Sequence, residues 1–391
     1  MLDLKKIRRD TPGVTRDRTY LHNAGAALMP KQVIDTIKRH IDLEGRIGGY
    51  AAAAREADRH RRAYAAIARL LNAKPEEIAI TENATVAWQM AFYSLAFEPG
   101  DRILTAEAEY GANYVAFLQM ARRTGAVIDV VPSNEAGELD VFALERMIDR
   151  KAKLIAITWV PTNGGLTNPA AAIGKVARKH GITYLLDACQ AVGQMEVDVR
   201  KLNCDMLSAT GRKFLRGPRG TGFLYVKRDL LRSLEPPMID HFAAPWVARD
   251  RYELRDDARR FENWENNYAG HFGLGAAVDY ALAIGIAAIE RRSRMLANRL
   301  RAGLREIKGV SVRDLGRNPS AIVSFTMEGQ DSVELVKKAD RTGITIGASD
   351  PESTLIDAQK RGLPMLVRAS PHYYNTEAEV DRLIEFCATM K

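Results

Sequence analysis

The 391-residue chain is 46% hydrophobic and 27% charged, the balance of a globular protein, and is long enough for two or three domains with large cores. Its net charge of +8 is dispersed, with basic residues standing beside acids as in Asp58-Arg59-His60-Arg61-Arg62, so no nucleic-acid partner is expected. Three scattered cysteines and seven scattered histidines, without CxxC or HExxH, give neither a disulfide framework nor a metal site, and no metal is expected.

Met1–Pro12 is charged and lacks an apolar stretch. The apolar runs Leu154–Val160 and Ala281–Ile289 are too short to span a bilayer, so the expectation is a cytoplasmic protein with no membrane partner. Residues 29–72 read as helices that end before Ala73-Lys74-Pro75. From there strands and helices alternate: strand Ile78–Thr81, helix Ala84–Leu95, strand Arg102–Thr105, helix Ala112–Thr124, strand Val127–Val131, helix Val141–Arg150, strand Leu154–Val160 and helix Ala170–His180. Strands Thr183–Leu186, Met206–Ala209 and Gly222–Val226 follow. Uninterrupted apolar strands alternating with helices predict a mostly parallel sheet covered on both faces. Leu274–Ala288 and Arg292–Ile307 read as long amphipathic helices. A second α/β pattern follows, with strand Ala321–Thr326, helix Val333–Thr342, strand Met365–Ser370 and helix Glu377–Ala388. The expected division is a large unit over 1–284, including the N-terminal segment, and a smaller one over 285–391.

The usual nucleotide loops are absent. No GxxxxGK occurs, and Gly273-Leu274-Gly275 follows no strand. The informative stretch is Tyr184-Leu185-Leu186-Asp187-Ala188-Cys189-Gln190, then Ser208-Ala209-Thr210-Gly211-Arg212-Lys213, then Gly217-Pro218-Arg219-Gly220-Thr221-Gly222. Asp187 follows an apolar strand, and Lys213 lies just beyond another. Ligands bind at the carboxyl ends of such strands, so this carboxylate and amine can share one crevice. A plain Asp–Lys salt bridge is the alternative reading. Thr81-Glu82-Asn83-Ala84-Thr85 leaves a strand and opens a helix, an anion-binding geometry in which Asn83 and Thr85 also suit N-capping.

These blocks, from Tyr20-Leu21-His22-Asn23-Ala24-Gly25 to Arg368-Ala369-Ser370, resemble the class V aminotransferase superfamily of pyridoxal-phosphate enzymes. That superfamily includes cysteine desulfurases, kynureninase, isopenicillin-N epimerase and C–S lyases. The resemblance implies the type I fold of pyridoxal-phosphate-dependent transferases, with a large α/β domain and a small C-terminal one, and pyridoxal 5'-phosphate as cofactor. It implies that Lys213 bonds the cofactor and moves the Cα proton of an amino-acid substrate, that Asp187 faces the pyridine nitrogen, and that Gln190 donates to the ring's phenolic oxygen. The phosphate falls to Ala84, Thr85, Thr210 and Arg212. Relatives complete that cup from a partner subunit with a Gly-Thr pair. Arg260-Phe261-Glu262-Asn263-Trp264-Glu265-Asn266 has no such threonine, and Asn266 is the substitute considered.

Tyr110 matches the aromatic that stacks on the ring. Asn163 matches a residue touching the ring oxygen and the substrate carboxylate. Arg368 matches the carboxylate-binding arginine, and Asn23 and Ala24 are further substrate-binding candidates. The resemblance further implies a homodimer. Cofactor identity leaves the reaction open between β-elimination, epimerisation and transamination, or a non-catalytic binding role. The blocks around Lys213 and Arg260-Phe261-Glu262 look most like hercynylcysteine-sulfoxide-type C–S lyases and isopenicillin-N-epimerase-like proteins, and a C–S lyase on a cysteine-derived substrate is the reading adopted. A persulfide-forming desulfurase needs a thiol on a loop of the small domain, and Gly343-Ile344-Thr345-Ile346-Gly347-Ala348-Ser349-Asp350-Pro351 has none.

Overall fold

The computed structural model describes residues 2–390. Seven strands form the central sheet in the spatial order Ile78–Thr81, Gly222–Val226, Met206–Thr210, Thr183–Asp187, Ala152–Thr158, Arg102–Ala106, Val127–Val131. Gly222–Val226 runs antiparallel to both neighbours, and every other pairing is parallel. Successive residues of one strand enter different cores. Ile155 and Ile157 join one cluster, while Leu154 and Ala156 join the other. Helices cover both faces, which is why these strands read as continuous apolar runs rather than as alternation.

Beyond Gly285 the chain builds an antiparallel sheet in the order Val310–Val312, Val323–Met327, Leu366–Ala369, Gly347–Ser349. The N-terminal segment bonds to this part. Thr19–Tyr20 pairs in parallel with Ile344–Thr345, and His22 bridges to Ser370. Thr19–Tyr20 and Ile344–Thr345 are two residues long each, too short for any periodicity to announce them. The hairpin of Trp246–Ala248 and Arg251–Tyr252 escapes sequence reading for the same reason.

Several boundaries differ from expectation. The long helices are Tyr268–Ile284 and Ile286–Arg305, so the break falls at Gly285, where φ is +92°, and not after Ala288. Only glycine takes that conformation without strain, and it ended the first helix earlier than the hydrophobic pattern suggested. Trp159 and Val160 are apolar and buried, but the strand is Ala152–Thr158 and Trp159 N–H turns to the Asp187 carbonyl. The helix from Val141 stops at Met147. Among the described residues no single helix is long and apolar enough to cross a membrane. The two long helices meet the combined requirement of length and apolarity only together, and they bend by 81° at the break.

Candidate active site

Asp187 ends strand Thr183–Asp187 and is 5% exposed. Its Oδ1 accepts from the Cys189 N–H at 2.9 Å and its Oδ2 from Asn113 Nδ2 at 3.1 Å. The neighbouring strand ends at Thr210, and Lys213 follows in the next turn. Burial holds the Lys213 ammonium below its ordinary value, with Cys189 and Asp187 opposing the shift and Arg212 and Arg368 adding to it. The amine therefore shares a crevice with Asp187 without forming an ion pair, and the plain salt-bridge reading does not hold.

The turn bearing Lys213 is clamped on both sides. His372 Nε2 donates to the Phe214 carbonyl at 2.7 Å, so its Nδ1 must accept from Ser293 Oγ at 3.2 Å. Burial drives the His372 imidazole toward its neutral form, as this tautomer requires. Arg216, with φ at +62°, donates to the Leu28 carbonyl, Tyr373 hydroxyl and Thr11 Oγ1 at 2.7, 2.7 and 2.6 Å.

The helix Ala84–Tyr93 opens on the same side. Asn83 caps it by accepting from the Val86 N–H at 2.9 Å, which leaves the N–H groups of Ala84 and Thr85 for an anion. A Cβ on Gly222 would lie 2.5 Å from the Asn83 carbonyl carbon and 2.7 Å from the Ala84 nitrogen, so only glycine lets the strand pass this turn. Arg212 anchors one nitrogen on the Gly25 carbonyl at 2.8 Å, and Thr210 Oγ1 lies 3.4 Å from the Thr221 carbonyl. Tyr110 precedes helix Gly111–Thr124 and is 37% exposed, so it belongs to the crevice rather than to the core.

Arg368 is 8% exposed and has no acid partner among the described residues. One guanidinium nitrogen donates to the Thr162 carbonyl at 3.0 Å and to its hydroxyl, while Nε has no partner. Burial and the nearby Arg212 charge push its pKa down to about 10. A buried, uncompensated cation beside a second cation is a site prepared for an anion.

Several expected contacts fall elsewhere. Asn163 donates through Nδ2 to the Asp350 carbonyl at 2.9 Å and Thr354 Oγ1 at 3.0 Å, and accepts from Ser349 Oγ at 2.6 Å. Its amide is engaged by the loop over 349–354. Thr162, which sequence reading passed over, touches both Arg368 and Gln190 instead. Asn23 donates to the Ser370 carbonyl at 2.7 Å and accepts from the Tyr374 hydroxyl. Ala24 N–H donates to Ser370 Oγ at 2.8 Å, and its carbonyl accepts from Gln190 Nε2 at 3.1 Å. Asn23 and Ala24 thus tie the N-terminal loop to the segment around Ser370 and Tyr374 and to Gln190. Gln190 Nε2 is likewise held by Ala24, and its Oε1 is the unpartnered atom. The expected donation to a phenolic oxygen is not what this conformation provides. Asn266 donates to the Asn263 carbonyl at 2.6 Å in a surface depression with Glu44, Tyr50 and Tyr268, and one chain does not bring it to Lys213.

The remaining set fits pyridoxal 5'-phosphate. An amine, a carboxylate, an aromatic ring and a helix N-terminus with a nearby arginine converge. Buried Ser208 Oγ, in register with Asp187, and Gln190 Oε1 have no hydrogen-bond partner among the described residues.

The profile of the Aminotransferase class-V family matches residues 19–383. A probable cysteine desulfurase of Methanothermobacter thermautotrophicus is 32% identical over 388 residues, covering 97% of this chain and 96% of the relative. One from Xylella fastidiosa strain 9a5c is 34% identical over 398 residues, covering 98% and 94%. Among solved structures, the apo cysteine desulfurase of Thermococcus onnurineus NA1 superposes with a TM-score of 0.92 at 28% identity, covering 100% of this chain and 98% of that one. With a matching profile over nearly its whole length and a crevice that fits the cofactor, the chain belongs to the aminotransferase class V family of pyridoxal 5'-phosphate enzymes.

Proposed function

We propose that the protein is a C–S lyase that cleaves the Cβ–S bond of a cysteine-derived amino acid by β-elimination. The observation that carries this is the pairing of a buried amine, Lys213, with an unpaired buried guanidinium, Arg368, in one crevice. Arg368 grips the substrate carboxylate and so places Cα where the Lys213 amine can take its proton. Bound pyridoxal phosphate supplies an electron sink for the negative charge that develops at Cα. Asp187 would keep a proton at the ring nitrogen, Tyr110 would cover the ring face, and the N-terminus of Ala84–Tyr93 with Arg212 would hold the phosphate. The Cα–H and Cβ–S bonds break and the sulfur departs with its substituent. With one water consumed, the products are a thiol, pyruvate and ammonia.

The cysteines support elimination over transfer of sulfur to the protein. Residues 343–354 contain no thiol. Cys204 and Cys387 are 2% and 0% exposed, and burial pushes both thiols up, Cys387 to about 12. Cys189 adjoins Asp187, and burial and that carboxylate push its thiol up as well. None is poised as a thiolate.

A panel of cysteine conjugates, assayed for pyruvate, ammonia and free thiol, tests the reading. Pyruvate should equal thiol released, and a protein with all three cysteines changed to alanine should keep its turnover. Loss of turnover with cofactor still bound would favour a thiol mechanism. Racemisation of an amino acid without pyruvate would replace the lyase by an epimerase. In the same assay Arg368→Ala should weaken substrate affinity by about 10- to 100-fold, given ~1.5–3 kcal/mol per hydrogen bond to a charged group. An unchanged affinity would move the carboxylate site elsewhere.

A further inference from the structure

One buried carboxylate in the crevice wall has no part in the scheme above. Glu109 follows strand Arg102–Ala106 and is 3% exposed. It collects five donors and no cation. Oε1 accepts from the Tyr110 N–H at 3.0 Å, from Asn113 Nδ2 at 2.8 Å and from the Thr158 hydroxyl. Oε2 accepts from the Thr158 N–H at 2.8 Å and from Thr105 Oγ1 at 3.1 Å. Two of those donors lead to residues expected to hold the cofactor, Tyr110 and Asp187. Asn113 Nδ2 has two hydrogens, and its second short contact is Asp187 Oδ2 at 3.1 Å, so one amide joins the two carboxylates. The Tyr110 N–H belongs to the residue expected to cover the ring.

We propose that Glu109 is a positioning residue. Through Asn113 it fixes the Asp187 carboxylate against the ring nitrogen, and through the Tyr110 N–H it sets the aromatic over the ring face. This rests on the pyridoxal-phosphate reading of the site. The chemistry calls for an acceptor-only group. N–H donors approach both oxygens, Tyr110 and Asn113 on one and Thr158 on the other, so a glutamine would meet a donor with a donor whichever way it turned. Glu109 also dictates the sense of the Asn113 amide. Without that acceptor, Asn113 can turn its own oxygen toward Asp187, and two oxygens facing each other would push the carboxylate aside. Burial pushes Glu109 up to about 7, while Thr158 and Asn113 oppose the shift and the Asp187 charge adds to it. The other titratable group facing it is the phenol of Tyr184.

The test uses the full-length protein stripped of cofactor and reloaded with pyridoxal phosphate. Three quantities are read: the dissociation constant of the cofactor, the pH midpoint of the loaded protein's visible band, and the thermal midpoint of the apo form. Glu109→Gln and Asn113→Leu should each weaken cofactor binding about tenfold and displace the band's midpoint in the direction shown by Asp187→Asn, with the double variant no worse than the worse single. A purely structural Glu109 would lower the apo thermal midpoint and leave the band's midpoint in place, which overturns the proposal. Fully additive effects of Glu109→Gln and Asn113→Leu overturn it too. Should Glu109→Gln fail to fold, Asn113→Leu decides alone. If Asp187→Asn alters the band while neither other variant does, only this inference falls. If wild-type protein takes up no cofactor, the reading of the site falls and the inference with it.

Discussion

Lys213→Ala is expected to lower turnover by about three orders of magnitude or more while leaving the apo fold intact. A positioned general base alone contributes roughly 10²–10⁴-fold, and this lysine is also the proposed covalent anchor. The fold should survive because the amine makes no ion pair whose loss would leave an unpaired charge. Burial lowers the folded-state pKa of Lys213 below the ordinary lysine value. The folded state then pays a penalty for a charged amine that is absent above about pH 10.4 and develops as pH falls toward the folded-state value. Removing the amine relieves it, so any rise in thermal midpoint for Lys213→Ala should be larger near about pH 6 than near about pH 10. Borohydride reduction of the loaded wild type, followed by peptide mapping, should place the cofactor on Lys213. A reduced cofactor on another lysine, or a variant within tenfold of wild-type turnover, would remove Lys213 from the centre of the mechanism.

The parts of the site that the sequence exposed are those fixed by strand ends. Asp187 and Lys213 each follow an apolar strand that stops at the same edge of the sheet, and Ala84 and Thr85 open a helix behind another. Such positions depend on local chain direction, which periodicity reports. Side chains whose partners arrive from distant segments were not legible. Asn163 and Asn23 sit in matching motifs, but Asn163 bonds to residues 349–354 and Asn23 to Ser370 and Tyr374. No local pattern says which neighbour an amide will meet. Glu109 had a signal of a kind, a charged residue in a stretch the sheet must bury, and the bland neighbour Asn113 turned out to link it to Asp187. The small antiparallel sheet was only half visible, because Val310–Val312 and Gly347–Ser349 are shorter than one cycle of any reliable pattern.

Arg216→Met is expected to reduce the free energy of unfolding by about 3–5 kcal/mol, the range for stranding partners in a buried polar cluster. Arg216 is 1% exposed, and among the described residues no carboxylate pairs with it. Its charge is solvated by the Leu28 carbonyl and two hydroxyls, and its guanidinium lies 4.5 Å from the Tyr374 ring centre and 5.1 Å from that of Tyr373. Each guanidinium nitrogen serves a different segment: Thr11 near the N-terminus, Leu28 just before helix Lys31–Ile47, and Tyr373 after the Arg368 strand. Methionine fills much of the stem's volume but strands those three acceptors. Lysine keeps the charge but not the fork, so Arg216→Lys should recover less than half of the loss. Thr11→Val, which removes one acceptor, should cost about 1 kcal/mol. Because the Arg216 N–H donates to the Lys213 carbonyl at 2.9 Å, loosening this cluster also loosens the turn that aims the amine. Turnover of Arg216→Met should therefore fall at temperatures where the variant is still folded. Chemical denaturation gives the first quantity and steady-state kinetics the second. An unchanged denaturation midpoint would show that the two parts of the protein are held together elsewhere.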